Sequence, residues 1–270
     1  MSKEAAPSDF KTRLLSALVL APIVIFLAWL GGFWFITLMI VVAGIMYWEW
    51  TTITVRAIDI RRDVLAGILL LALIFSLIIM PSILPILISF ALIILGALVV
   101  IVCKEKIGWN IAGLGVASSL ALSLIYIRTS SDASHGLYLL IFLCFSVWAA
   151  DIFAYLVGRT VGGPKLMPKI SPKKTWSGFI GGVIGAIVTG SIVAHYFVPD
   201  KIIVFSFIAL FVALAAQLGD LIESAIKRHF DVKNSSNLIP GHGGILDRVD
   251  GLTLSACVFV VIYASGFTAL

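Results

Sequence analysis

Charge is what this sequence has least of. Of its 270 residues only 12% are Asp, Glu, Lys or Arg, while 61% are hydrophobic and the mean hydropathy is +1.13. Soluble domains carry roughly 25% charged residues, so this chain has too little polar surface to face water on all sides. Lipid is the expected solvent for most of it. Cysteine is also scarce: Cys103, Cys144 and Cys257 each sit inside an apolar run with no paired spacing. That excludes a disulfide or zinc framework and leaves three small hydrophobes. Internal repeats, low-complexity tracts and a soluble appendage are all missing. No cleavable leader is expected, because Lys11 and Arg13 precede an apolar run from about Leu14 to Leu30. That run is too long for a signal core and lacks a small-x-small cleavage site. The net charge of +5 identifies no nucleic-acid partner, since in a membrane chain the placement of charges says more than their sum.

What is present is a series of apolar runs, each near the roughly 20 residues a helix needs to cross the hydrocarbon core. They predict an all-α polytopic membrane protein of about nine spans, at 12–30, 33–49, 64–80, 85–103, 109–127, 137–157, 178–197, 202–219 and 252–269. The third and fourth runs also read as one bent pair of shorter helices. Gly31-Gly32, Pro81 and Pro199-Asp200 punctuate the joints. Basic residues concentrate on the cytoplasmic side of membrane proteins. With the N-terminus inside, that side collects Lys3, Lys11, Arg13, Arg56, Arg61, Arg62, Lys104, Lys106, Arg159, Lys165, Lys169, Lys173, Lys174, Lys227, Arg228, Lys233 and Arg248. Only Arg128 and Lys201 fall outside, and an even span count would spoil this asymmetry. The outer joints are short, whereas two inner segments, about 158–177 and 220–251, are long, polar and glycine-rich. A polar cleft on the cytoplasmic side is expected there. Residues 1–136 supply the first five spans of a single membrane domain, and 137–270 the catalytic remainder.

Asp220 to Gly251 begins with helical spacing: Asp220, Ser224 and Lys227 fall at i, i+4 and i+7, with Glu223 one step aside. A loop with Asn234, Ser235, Ser236, Asn237 and Pro240 leads into Gly241-His242-Gly243-Gly244. Asp247, Arg248 and Asp250 follow, the two acids sharing a helical face. Carboxylates Asp220, Asp247 and Asp250 suit a hard cation such as Mg²⁺, which usually takes one or two carboxylates plus substrate phosphates and water. Lys227, Arg228, Lys233 and Arg248 suit phosphate oxygens, Arg as a fork and Lys as a point charge. Glycines beside His242 admit close approach of backbone N–H groups to an anion. Those are the parts that phosphoryl or nucleotidyl transfer needs. Singly, each charge is equally well a solvated span end.

The second polar stretch starts with Asp151, an acid inside an apolar span, where ionisable groups are costly and mark a functional site by default. A structural ion pair is its competing role. Tyr155 shares its face, and Arg159, Lys165, Lys169, Lys173 and Lys174 make a basic inner loop. Such a loop can be a topology determinant or an anionic-lipid anchor. Ser171, Lys173, Lys174 and Thr175 also combine hydroxyls and ammoniums in what reads as a rigid turn, a grip for phosphate. Gly178 with Gly182, and Gly181 with Gly185, have the small-xxx-small spacing of close helix packing.

The residues Ser224, Ile226, Lys227, Arg228, Lys233, Ser236, Ile239, Pro240, His242, Gly243, Gly244, Asp247, Arg248 and Asp250 match the long signature of the phosphatidate cytidylyltransferase (CDP-diacylglycerol synthase) family. Asp151, Tyr155, Gly158, Arg159 and the Ser-Pro-Lys-Lys-Thr-Trp block at 171–176 resemble it as well. The strong resemblance covers about 140–251. It implies attack of a phosphatidic acid phosphate on the α-phosphorus of CTP in a bacterial-type inner (plasma) membrane, with the site facing the cytoplasm. It further implies Mg²⁺ on Asp220, Asp247 and Asp250, a second cation as an option, and a homodimer. Asp220, Lys227, Arg228, His242, Asp247, Arg248 and Asp250 become the expected catalytic set. Asp151, Tyr155, Arg159, Ser171, Lys173, Lys174, Thr175, Ser224, Lys233, Asn234, Gly243 and Gly244 become the expected substrate contacts. Two positions depart from the pattern: Asn234 stands where the family has Asp, and Ser177 where it often has Glu. Asn234 keeps a polar oxygen and loses a charge, which weakens any metal or base role there.

Three rival readings remain open. A secondary transporter would also carry an intramembrane acid, but near the midplane between repeats. A CDP-alcohol phosphotransferase lacks support, because its Asp-Gly-x-x-Ala-Arg pattern is missing. A CTP-dependent polyprenol kinase-like enzyme stays open on fold grounds, and CTP with phosphatidic acid against CTP with a polyprenol separates the two.

Overall fold

A computed structural model describes residues 7–56, 59–79, 82–103, 106–129 and 133–266. Lys3, Pro81, Lys104 and the side chains of Lys11 and Arg13, all used above, lie outside the described part. In lipid every backbone N–H and C=O must be satisfied within its own segment, which leaves helices as the natural element for these runs. The order is α1 (Pro7–Leu30), α2 (Gly32–Thr54), α3 (Ile60–Ile79), α4 (Leu84–Leu98), α5 (Ile107–Thr129), α6 (Ala133–Thr160), α7 (Trp176–Phe197), α8 (Ile202–His229) and α9 (Leu246–Ala264). A π-turn, Val99–Cys103, extends α4. Among the described residues seven helices are long and apolar enough to cross a membrane: α2 through α8. Belts of exposed Ile, Leu and Phe, such as Ile68, Phe75, Ile94, Ile184 and Phe207, coat them. The chain is an integral membrane protein. Helices α3 and α4 are separate, as the two apolar runs predicted.

One local prediction differs. Lys165–Met167 (β1) and Ser171–Thr175 (β2) pair as a short antiparallel hairpin in place of the expected turn. Its three-residue connection, Pro168 to Ile170, joins the strands, and the extended backbone lets alternate side chains face opposite ways.

Helix α5 is the hub, packed on α2, α3, α4, α6 and α9. Its small residues explain why. Where lipid tails are as apolar as leucine, helices associate by close van der Waals contact, and small side chains permit it. A methyl group at Gly113 would lie 2.3 Å from the Trp50 ring, and one at Gly96 would lie 2.4 Å from the Ala112 nitrogen. Trp50 Nε1 donates to the Trp109 carbonyl at 2.7 Å. Buried Ser118 and Ser119 turn their hydroxyls back to the Leu114 and Val116 carbonyls. The buried cluster runs from Phe35 of α2 to Val260 of α9, so both halves of the chain share one core.

The glycine pairs of α7 are used within the protomer. A Cβ at Gly178 would meet the Ala154 carbonyl at 2.7 Å, one at Gly182 the Ala150 carbonyl at 2.6 Å, and one at Gly181 the Val157 Cβ at 2.6 Å. Helices α6 and α7 therefore touch backbone to backbone, and Asp151 sits beside that contact. Gly182→Val should separate them: we expect a loss on the order of 1–3 kcal/mol, read as a lowered thermal midpoint in detergent, with Gly67→Ala in α3, where a Cβ meets nothing within 4 Å, as the control for purification effects.

Candidate active site

Helix α8 continues well beyond the predicted end of its span, to His229, and so carries Asp220, Glu223, Ser224 and Lys227 on helical backbone. Helix α9 begins at Leu246, which places Asp247, Arg248 and Asp250 in its first turns. The two helices cross through glycines. A Cβ at Gly219 would lie 2.7 Å from the Asp250 carbonyl, and one at Gly251 would lie 3.0 Å from the Ala216 carbonyl. Each glycine is the immediate neighbour of an acid, so the crossing brings Asp220 and Asp250 side by side. Asp151 of α6 joins them: the charge of Asp220 acts on both other acids, and that of Asp151 on Asp250. Lys174 of β2 reaches across to Asp220 Oδ2 at 2.5 Å. Ser224 Oγ donates to Asp220 Oδ1 at 3.2 Å. The charge of Arg248 also reaches Asp151. Four elements thus converge on a group of three acids with one bound ammonium.

Asp247 does different work. Lys227 Nζ donates to its Oδ1 at 2.8 Å, and the backbone N–H groups of Ser235 and Gly244 donate to Oδ2, each at 2.9 Å. Ser235 Oγ adds a further bond to Oδ2 at 2.9 Å. Burial pushes this carboxyl up, but the Lys227 bond and the two backbone donors outweigh it and hold Asp247 below its ordinary value. Through these bonds Asp247 ties the loop to α8. Lys227 is likewise engaged, by Asp247 and by the buried Glu223.

The other predicted residues divide by surroundings. Thr175 caps α7, its hydroxyl accepting from the Gly178 N–H at 3.1 Å. Ser177, which departs from the family pattern, donates to the Gly162 carbonyl and lies 3.0 Å from the Thr175 hydroxyl. Arg159 donates to the Tyr155 hydroxyl at 2.9 Å, both side chains being exposed. Arg228 donates to the Val232 carbonyl at 3.0 Å. Lys173, Lys233, Asn234 and Arg248 are exposed and Ser171 is half-buried. His242 is half-buried, its Nδ1 3.0 Å from Ser16 Oγ of α1. Gly243 has φ 88°, a backbone state that disfavours side chains, and a Cβ there would meet Asp247 Oδ2 at 2.7 Å.

One residue was missed in the sequence. Glu49 of α2 is wholly buried and accepts from Ser235 Oγ, Ser236 Oγ and the Ile245 and Leu246 N–H groups. A lone carboxylate at the end of the apolar run 33–49 was the available signal. Next to the acids lies a largely apolar cavity of about 400 Å³, walled by Trp50, Phe90, Trp109, Ile222 and Leu254 and polar at Glu223 and Asp250.

Among the described residues no three His, Cys, Asp or Glu side chains close as a complete metal cage. Mg²⁺ needs none, since water and phosphate usually fill most of its octahedron. Asp220 and Asp250 fit that ion: two hard, like-charged donors are forced together by backbone packing. Asp247, expected from sequence to join them, is bonded here by Lys227, Ser235 and Gly244.

The acid side of the stability profile tests the Asp247 assignment. Its folded value lies below the ordinary 3.8, so its contribution is complete above that value and disappears as the pH falls through the lowered one. Asp247→Asn should lower stability at neutral pH by on the order of 3 kcal/mol and flatten the midpoint-against-pH curve on the acid side. Thermal denaturation in micelles across that range checks both.

Comparison with known proteins covers the same residues. A family model described as "Cytidylyltransferase family" matches residues 11–265. A phosphatidate cytidylyltransferase of Brucella abortus biovar 1 (strain 9-941) is 39% identical over 265 residues, spanning 95% of this chain and 94% of that protein. One from Rickettsia bellii (strain RML369-C) is 33% identical over 271 residues, with 97% and 94% covered. One from Bacillus subtilis (strain 168) is 46% identical over 128 residues, about half of each chain. Matched across all its described helices and both polar stretches, the chain belongs to the cytidylyltransferase family.

Proposed function

We propose that this chain transfers the cytidylyl group of CTP to phosphatidic acid, giving CDP-diacylglycerol for phospholipid synthesis and releasing pyrophosphate. Relatives matched almost end to end carry the name phosphatidate cytidylyltransferase. The observation that carries the reading here is the convergence of Asp151, Asp220 and Asp250 with Lys174 beside an apolar cavity. A phosphate-transfer site next to an apolar space inside a membrane protein suits a phosphorylated lipid better than a soluble acceptor.

A phosphate oxygen of phosphatidic acid forms a bond to the α-phosphorus of CTP, and the bond from that phosphorus to the bridging oxygen of the β-phosphate breaks. The electron pair leaves with pyrophosphate. The nucleophile is already anionic, so no residue has to remove a proton. Asp220 and Asp250 would hold Mg²⁺, which would screen the phosphate charges and favour departure of pyrophosphate. Asp151, whose charge acts on Asp250, would be a further donor for a second cation. Lys174 and Arg248 hold phosphate oxygens at the acids, and the exposed Arg159, Lys173, Arg228 and Lys233 draw the anionic substrates in. His242 and the N–H groups of Gly243 and Gly244 border the same loop, which Lys227 and Asp247 keep in place. Ser171, Asn234 and Tyr155 complete the polar rim, and Thr175 and Ser224 position Lys174 and Asp220. The cavity takes the part of the acyl chains nearest the phosphate. A homodimer is proposed from the family resemblance alone.

Radiolabelled CTP with phosphatidic acid, with and without Mg²⁺, is the direct test. Product should form only with both substrates and Mg²⁺, and a polyprenol acceptor should give none. Asp220→Asn and Asp250→Asn in folded protein should each reduce turnover by about 100-fold or more. Unchanged turnover in either would remove that residue from the site, and labelling of the polyprenol instead would replace the reading.

For orientation we propose nine crossings with the N-terminus and the site in the cytoplasm, supported by the basic residues at one side of the spans. A cysteine at Lys169, in a chain with Cys103, Cys144 and Cys257 replaced, should react with an impermeant maleimide only in inside-out vesicles. One at Asp200 should react only in right-side-out vesicles; the reverse pattern would invert the topology.

A further inference from the structure

We propose that Glu49 is a positioning residue for the transfer reaction, holding the loop and helix start that carry His242, Asp247 and Asp250. The inference rests on the cytidylyl-transfer reading. Glu49 belongs to α2, distant in sequence from both polar stretches, and it is 0% exposed. Its Oε1 accepts from Ser236 Oγ at 2.5 Å and the Ile245 N–H at 3.0 Å. Its Oε2 accepts from Ser235 Oγ at 3.1 Å and the Leu246 N–H at 2.7 Å. Both ends of the loop are therefore drawn to a single carboxylate.

Helix α9 has no side-chain cap of its own at Ile245. The first N–H groups of a helix lack internal partners and carry partial positive charge. Glu49 satisfies two of them from another helix and so sets where the first turn of α9 starts. That turn bears Asp247, and Asp250 follows within the next. The fit is tight: a Cβ at Gly244 would lie 2.4 Å from Glu49 Oε1 and 2.0 Å from Ser235 Oγ. Ser235 Oγ also touches Asp247 Oδ2, joining the two anchoring carboxylates. Two more contacts from the N-terminal helices hold the same loop, Arg56 to the Phe230 carbonyl at 2.5 Å and Ser16 to the Pro240 carbonyl at 3.2 Å. Among the described residues Glu49 bonds to the loop and the start of α9 and not to Asp151, Asp220 or Asp250, so its influence passes through the segment it holds.

An amide cannot replace it. Four donors converge on two oxygens, and Glu49→Gln turns an NH₂ group toward two of them. A misplacement near 1 Å at a reacting centre reduces rate by about 100-fold, so purified Glu49→Gln should lose kcat by on the order of 10–100-fold. Its KM values for CTP and phosphatidic acid should stay within about threefold, since the exposed basic residues that attract both are untouched. Glu49→Asp, which keeps the charge, should recover part of the loss. If Glu49→Gln does not fold, Ser236→Ala decides: it removes one donor and should lower kcat roughly three- to tenfold at an unchanged thermal midpoint. Folded variants with wild-type kcat, or with KM raised and kcat unchanged, would overturn the proposal. Trypsin separates it from the reaction itself. Should wild type make no CDP-diacylglycerol, the reading of the reaction fails, while faster cleavage after Lys233 in Glu49→Gln than in wild type still supports the anchoring and equal cleavage refutes it.

Discussion

Two helices that touch through glycine set the terms for this molecule. At Gly219 and Gly251 the backbones of α8 and α9 approach so closely that a methyl group on either would collide with the opposite chain. The residues next to those glycines are Asp220 and Asp250. Like charges repel, and nothing in the side chains themselves would bring them together. Packing of small residues in an apolar surrounding does so, because lipid gives helices no hydrophobic reason to associate and close contact is what remains. The α6–α7 contact at Gly178 and Gly182 repeats the device and sets Asp151 beside the same group. Repulsion held in place by backbone packing is relieved at Asp220 by the ammonium of Lys174.

A second layer of carboxylates serves a different purpose. Asp247 and Glu49 are buried among N–H and hydroxyl donors, and each is occupied by them. They organise a loop that has almost no regular structure of its own beyond an isolated bridge between Ile239 and Gly243. Trp109 adds apolar support where the loop leaves α8, its ring 4.9 Å from that of Phe230 in an edge-on contact. Asp220, with Lys174 on one oxygen and Ser224 on the other, and Asp250, with the Gly251 N–H, face the cleft, while Asp247 and Glu49, each with four donors, hold the walls. Residue type alone does not separate the two roles. The number of donors around each oxygen does.

The division also explains why the N-terminal helices matter to chemistry carried by the C-terminal ones. Ser16, Glu49 and Arg56 each contact the segment between Phe230 and Leu246. The core that joins α2 and α5 to α9 gives those contacts a rigid base. A boundary near residue 136 is convenient for counting spans, yet the site is assembled across it.

Much of this was legible in the sequence. Helical class and the positions of the apolar runs follow from hydropathy, because a chain with so few charges has only lipid as a consistent solvent and only helices to satisfy its backbone there. The two polar stretches stood out against that background, and the motif residues named the chemistry. The hairpin at 165–175 was not legible, since its five-residue strand offers too short a pattern to separate strand from turn. The roles of individual acids needed tertiary structure. Asp247 and Asp250 share one helix start and one spacing, yet one is filled by Lys227, Ser235 and Gly244 while the other meets Asp220. Glu49 lies in a different polar context, far along the chain, and spacing carries no information about which distant donors will surround it. Composition and periodicity determined the solvent, the class and the neighbourhood of the site. Helix crossings at small residues decided which carboxylates face one another, because those crossings depend on packing between segments that the linear order does not pair.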